Sequence, residues 1–185
     1  MTLELTQRPE ATTGEQRSYD TDRFTLRPLR LSDKGLIELY ASDIRVAGPT
    51  RSIPHPLPPG ATETFIEGTM AVDRTEDVWA VDGTKSGLSE VLGVIGLEHM
   101  DRNQAKLGYW FAPAFWGKGF ARETVGALVT ANPLAADTIF AEVFQDNPAS
   151  ARVLTHCDFN YLGDAEAYCV ARHTSMPTWT YSKKM

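Results

Sequence analysis

The segment 113-PAFWGKGFARETVG-126 joins two kinds of sequence at a pair of glycines. Upstream, residues 105 to 113, AKLGYWFAP, read as a buried strand. Downstream, Ala121, Val125, Leu128 and Val129 fall at i, i+4, i+7 and i+8 and form the apolar stripe of a helix that Pro133 stops. The order is strand, tight turn, helix. The backbone N–H groups of Gly117 to Arg122 then project from a helix start, where they lack partners in their own helix. Such donors, at the positive end of the helix, make a seat for phosphate, and glycines at 117 and 119 let it approach the main chain. A Walker loop does not fit, because it needs GxxxxGK followed by Ser or Thr, and here Lys118 precedes Gly119 and Phe120. No GxGxxG opens a βαβ unit either.

Working outward, residues 91 to 100, VLGVIGLEHM, and the strand before the turn form a predicted hairpin about the turn DRNQ. Residues 23–30 read as a first strand. A helix follows, with Ser32 as N-cap and Leu36, Ile37 and Tyr40 on its inner stripe. The five prolines of residues 48–60 exclude helix and inner strand, leaving a semi-rigid loop that contains His55. A second helix is predicted from Thr62, with Phe65, Ile66, Thr69 and Met70 inward, then a strand at 77–81. Residues 137–145 suit a central strand. Asn147 and Pro148 mark a strong helix start, and residues 166–172 and 177–182 give two last strands. The pattern is α+β, with strands and helices around one sheet.

With 185 residues, 42% hydrophobic and 23% charged, the chain suits one folded domain, expected over 19–185 behind a frayed tail at 1–18. The longest apolar run, Val91 to Leu97, is far shorter than the roughly 20 residues a membrane helix needs. The first residues lack a secretory pattern, so a cytoplasmic protein with no membrane partner is expected. Cys157 and Cys169 have no metal or redox spacing and read as buried thiols; the four histidines make no ligand pair, so no metal is expected. A net charge of −6 argues against nucleic acid and favours a cationic substrate such as an amine.

Taken together, LGYWFAPAFWGKGFARE (107–123) and NPASARVLTHCDF (147–159) resemble the GNAT N-acetyltransferases, and within them the RimJ/RimL-like branch, over residues 23–182. That family's pyrophosphate loop reads Gln or Arg, two residues, Gly, one residue, then Gly or Ala. Trp116, Gly119 and Ala121 occupy these positions. Trp116 departs from the general pattern, although an aromatic residue is usual in this branch. The resemblance implies a GNAT-like mixed, mostly antiparallel twisted sheet flanked by helices. It implies that acetyl-CoA lays its diphosphate on the amides of Gly117, Lys118, Gly119, Phe120, Ala121 and Arg122, in the cofactor-binding loop that Trp116 opens, and its pantetheine arm along the strand Leu107 to Phe111, which includes Tyr109 and Trp110. Asn147 and Ser150 would reach that arm and its sulfur.

Many relatives carry a tyrosine acid four residues beyond Ser150, where this chain has Leu154, so a serine hydroxyl or water must protonate the leaving thiolate. The base is expected at the end of the preceding strand: Glu98 first and His99 second, on opposite faces by strand alternation, with Asp101 and Glu142 in reserve. Direct transfer is implied, without a cysteine nucleophile. The acceptor is a primary amine, either a small molecule or a protein N-terminus, and a homodimer is compatible with the family. Because Leu154 removes the usual acid, a non-catalytic acyl-CoA-binding module stands as the alternative. Asp158 replaces a helix-ending glycine and is expected to adopt a left-handed conformation with some strain.

Overall fold

The computed structural model describes residues 16 to 185. Its strands are β1 (Tyr19–Asp20), β2 (Thr25–Pro28), β3 (Glu76–Asp82), β4 (Gly93–Met100), β5 (Gln104–Phe111), β6 (Thr138–Phe144), β7 (Asn160–Cys169) and β8 (Thr174–Lys184). Its helices are α1 (Lys34–Ala41), α2 (Ile44–Ala47), α3 (Ala61–Met70), α4 (Phe120–Ala131) and α5 (Pro148–His156). The strands form one eight-stranded sheet in the order β1-β2-β3-β4-β5-β6-β8-β7. The fold is the expected α+β arrangement. All neighbouring pairs run antiparallel except β5 and β6, whose parallel pairing needs a crossover, supplied by α4.

Alternation along β5 divides the molecule into two layers. Leu107 and Phe111 join Phe120, Val125 and Leu128 of α4 and Leu154 of α5 in the larger core. On the other face, Val78 and Val94 pack with Ile37 of α1 and Ile66 of α3, and Trp110 lies against them. Each fully buried aliphatic or aromatic side chain here stabilises the fold by about 1.5–3 kcal/mol relative to exposure.

Register opens the sheet where the two layers need it. β5 and β6 pair only from Gln104 with Thr138 to Leu107 with Ala141. Both strands continue, to Phe111 and Phe144, without pairing to each other. The β6-facing edge of Gly108 to Phe111 is therefore free of a strand partner. Away from this opening, the buried Arg27 guanidinium donates to both oxygens of Asp33 at 2.8 Å and to Asp82 at 2.6 Å, tying β2 to the start of α1 and the end of β3. Such a fork is tolerated in the interior because every charge has a geometric partner.

Several local expectations need correction. Ser32 does not cap the first helix. A 3-10 turn over Leu31–Asp33 precedes it, and the Asp33 carboxylate accepts from the Arg30 amide at 2.8 Å, while Ser32 is exposed. A carboxylate that also holds Arg27 has more to gain inside than a serine hydroxyl. On α3 the inward residues are Thr62, Ile66 and Thr69, whereas Phe65 and Met70 are 38% and 58% exposed. The sequence 166–172 ends as a turn. The strand there begins earlier, at Asn160, and is mostly exposed because β7 is an edge strand, which hides it from a search for apolar alternation.

Asp158 takes φ +63°, the expected left-handed residue, and Phe159 N–H closes the helix end on Leu154 O at 3.1 Å. Cys157 and Cys169 are free and buried. Of the expected tail 1–18, residues 1–15 lie outside the described residues. Residues 16 and 17 lie against β3: the Gln16 side chain donates to Val78 O and the Trp79 indole to Arg17 O, both at 2.8 Å. Among the described residues no helix is long and apolar enough to cross a membrane.

Candidate active site

The glycine turn is built by its backbone. Gly117 and Gly119 take φ of +71° and +80°, a region in which side-chain-bearing residues are strained. A Cβ at Gly117 would meet nothing within 4 Å, and one at Gly119 only the Arg23 guanidinium at 3.5 Å. Protein packing therefore does not demand these glycines; the conformation does, and the space beside them opens on a groove. The first α-helical bond runs from Glu123 N–H to Gly119 O at 3.2 Å. The amides of Gly117 to Arg122 have no acceptor among the described residues.

Three side chains hold the turn in place. The Trp116 indole donates to Phe111 O at 2.7 Å, fastening the turn to the end of β5. Lys118 donates to Ala114 O at 2.8 Å and does not line the groove. Arg23, just before β2, donates to Lys118 O at 2.9 Å and to Glu123 at 2.7 Å, with its guanidinium 4.2 Å from the centre of the Phe120 ring. This brace spans 95 residues of sequence.

From the turn, a groove of about 600 Å³ runs along the open edge of β5 to α5. Trp116, Gly117, Gly119, Phe120, Ala121 and Arg122 line one end, and Tyr109, Trp110, Phe111, Asn147 and Ser150 line the rest. Arg122 and Arg152 also line it, and neither side chain has a carboxylate partner among the described residues. Free amides, a helix N-terminus and unpaired guanidiniums together suit a polyphosphate. At the inner end, Asn147 caps α5 by accepting from Ser150 N–H at 3.3 Å, and its amide donates to Ser150 Oγ at 3.2 Å. The Ser150 hydroxyl proton is thus left for a group in the groove. Tyr109 donates from its hydroxyl to Ser150 O at 3.3 Å, and burial pushes its phenol well above the ordinary range. Leu154 is fully buried and supplies no acid.

A second cavity, of about 870 Å³, lies on the α1/α3 face. It shares Leu107 to Trp110 and Glu142 with the groove, so the two meet at the opening between β5 and β6. Ile37, Ile53, Leu57, Phe65 and Phe144 supply apolar wall, and the proline-rich loop closes one side, although His55 itself does not line it. Three carboxylates reach it. Glu142 is taken up by Lys106 and Arg51, each at 2.6 Å, which hold it below the ordinary carboxylate range against the effect of burial. Glu98 lines the cavity as expected, directly opposite Glu76 across the β3–β4 pairing. His99 points to the other face, where its Nε2 lies 3.3 Å from Asp77, and it lines neither cavity.

Of the residues singled out in the sequence, the turn, the end of β5, Asn147 and Ser150 line the groove, and Glu98 lines the adjoining cavity. Sequence reasoning did not single out Glu76 in the cavity, Arg152 in the groove or Arg23 behind the turn. A charged residue at the head of the strand 77–81 was the available sign of Glu76, but its neighbour across the sheet depends on register.

A groove lined by free backbone amides and arginines thus opens into a carboxylate-bearing cavity. Residues 23–160 match the family described as Acetyltransferase (GNAT) domain. The chain belongs to the GNAT acetyltransferases, whose acetyl donor is acetyl-CoA. It is 31% identical over 108 residues to the uncharacterized N-acetyltransferase YoaA of Bacillus subtilis (strain 168), covering 56% of this chain and 60% of that one. It is 26% identical to the uncharacterized N-acetyltransferase p20 of Bacillus licheniformis, covering 88% of this chain and 93% of the relative. Among solved structures, the microcin C7 self-immunity acetyltransferase MccE, in complex with acetyl-CoA and AMP, aligns with a TM-score of 0.77 at 18% identity, over 89% of this chain and 94% of that one. RimL, the ribosomal L7/L12 alpha-N-protein acetyltransferase in complex with coenzyme A, aligns at 0.77 with 16% identity, over 91% and 98%. These two show the fold.

Proposed function

We propose that residues 19–185 are one acetyltransferase domain that moves the acetyl group of acetyl-CoA directly to the nitrogen of a primary amine. The observation that carries this reading is the meeting of the groove and the carboxylate cavity at Gly108 and Tyr109. Acetyl-CoA supplies an activated acyl carbonyl. The amides of Gly117 to Arg122, with Arg122 and Arg152, bind its phosphates, and Trp116 keeps the turn in position. Backbone N–H groups on the open edge of β5, at Tyr109 to Phe111, are suited to polarise the carbonyl. The Ser150 hydroxyl, held by Asn147, donates its proton to the departing sulfur, with Tyr109 beside it. A cavity carboxylate takes the proton of the acceptor, and Glu98 rather than His99 faces that space.

The acceptor is best read as a small primary amine with an apolar body. The cavity volume lies in the range of small-molecule sites, roughly 300–1,000 Å³, and its walls are mostly apolar. A protein N-terminus is the second reading, supported by the RimJ/RimL-like signature and by the likeness to RimL. Both acceptors place the work in the cytoplasm, where acetyl-CoA is made. The non-catalytic alternative is weaker, because an acyl-CoA-binding module has no use for unpaired carboxylates facing the acyl end.

The test is to incubate the purified full-length chain with acetyl-CoA and a panel of 2-phenylethylamine, spermidine and short peptides with free N-termini. Free thiol and acetylated product are then measured. Thiol release that depends on an amine and matches the mass of an acetylated product supports the proposal. Tight acetyl-CoA binding without transfer to any amine would favour the binding module.

A further inference from the structure

Glu76 stands at the head of β3 and is opposed by Glu98 on β4, which is opposed in turn by Lys106 on β5. One step further, Val78, Gly96 and Gly108 form the next row across the same three strands. Two glycines in that row leave a floor without side chains. The Glu76 carboxylate lies across it: a methyl group at Gly96 would collide with Glu76 Oε1. Gly108, the other half of the floor, is the first β5 residue beyond the β6 pairing and is shared by groove and cavity. Neighbouring strands are about 4.8 Å apart. A carboxylate over Gly96 is thus within reach, directly or through one water, of an amine positioned over Gly108.

The other carboxylates nearby are committed. Glu142 is held by Lys106 and Arg51, and Asp77 by Arg74 and His99. Glu76 has no hydrogen bond or ion pair among the described residues although it is half-buried, and burial, then the charge of Glu98, raises its pKa. An unpaired, partly desolvated carboxylate is costly in a fold unless a ligand completes it. Glu98 is exposed by comparison.

Resting on the acetyl-transfer reading, we propose that Glu76 is the general base, and that Glu98, opposite it across the sheet, is a neighbouring charge that attracts the ammonium group. Glu76 takes one proton from the acceptor ammonium. The freed nitrogen lone pair forms the C–N bond to the acetyl carbonyl, the C–S bond breaks with its electron pair on sulfur, and the thiolate takes a proton from Ser150, which regains one from the acetylated nitrogen. Glu76 returns its proton to water, so the balance is ammonium plus thioester to amide, thiol and one proton.

The ionisable groups facing Glu76 on this side of the sheet are Glu98, Lys106 and Glu142, with Arg51 and Tyr168 at the cavity wall and Asp77 next in the chain. A raised carboxylate must lose its proton before it works, so kcat/KM is expected to rise through the raised Glu76 pKa and level off above it. The experiment measures that profile with the best amine of the panel at saturating acetyl-CoA, together with acetyl-CoA affinity by calorimetry. E76Q is expected to lower kcat/KM about 100-fold, within the usual range for a general base, to abolish the acidic limb and to leave acetyl-CoA affinity unchanged. E98Q is expected to raise KM for the amine, because one attracting charge is gone, and to shift the limb to lower pH without abolishing it, because one like charge beside Glu76 is gone. G96A, which displaces the carboxylate without removing it, lowers kcat while cofactor affinity stays the same.

A second readout needs no activity. The folded state holds the Glu76 proton more tightly than the unfolded chain, so stability is lost as pH rises from the ordinary carboxylate value of 4.5 through the raised one. E76Q should therefore raise Tm at pH 8 and not at pH 4. E76Q with an intact acidic limb, or E98Q with none, would overturn the assignment of Glu76. Absence of product with every amine for the wild type would instead overturn the acetyl-transfer reading, and the base with it.

Discussion

The groove and the cavity on either side of Gly108 are made from different material. The groove binds with main chain: amides of a glycine turn, the free edge of β5 and the start of α4, with arginines at its rim. The cavity is made mostly of side chains from six strands, two helices and a loop, and its charge is negative. On the proposed reading, a donor carrying phosphates and an acceptor carrying an ammonium are drawn to opposite ends of one opening. The difference teaches that the groove is built by geometry that local sequence sets, whereas the cavity is built by residues that only the folded sheet brings together.

The most direct way to break this contrast is Gly119→Val. It forces a β-branched residue into φ +80°, costing about 2 kcal/mol or more, and puts its side chain on the open side of the turn. Acetyl-CoA affinity should fall at least 100-fold by calorimetry while the folded thermal transition persists; unchanged affinity would remove the diphosphate seat from the turn. Next, Arg23→Ala deletes the bonds to Lys118 O and Glu123. We expect KM for acetyl-CoA to rise about tenfold, in keeping with roughly 1.5–3 kcal/mol for bonds to a charged group, with little change in KM for the amine. An effect on the amine alone would mean that the brace serves the cavity.

Ser150→Ala sharpens the comparison at the junction. It should lower kcat about tenfold and leave acetyl-CoA affinity unaltered, and equal turnover would make Ser150 a packing residue only. The smallest effect is expected for Trp116→Phe, which loses one indole bond to Phe111 O. That bond contributes about 1 kcal/mol, so acetyl-CoA affinity should weaken roughly fivefold in the same titration. A loss as large as that of Gly119→Val would show the indole itself contacting the cosubstrate.

Much of the groove was legible because its parts are contiguous. Strand alternation, two glycines and an amphipathic stripe lie within one stretch, and Asn147 with Pro148 announces α5 by capping chemistry alone. Glu98 and His99 were separable in principle by period 2, and the sheet turned Glu98 to the cavity and His99 to Asp77. The cap of α1 was misassigned because Asp33 is chosen by Arg27, a partner from another strand. β7 was underestimated because an edge strand with few buried residues carries little hydrophobic pattern.

By itself, the sequence determined the α+β pattern, the anion-suited turn between β5 and α4, and the capped start of α5, since each depends on interactions within a few residues. Tertiary structure alone decided that Glu76 stands against Glu98, that Arg23 braces the turn, and that β5 and β6 part after Leu107. These are matters of register and of contact across the sheet. A shift of one residue in pairing would turn every side chain to the opposite face, and no local pattern in a single chain records which pairing wins.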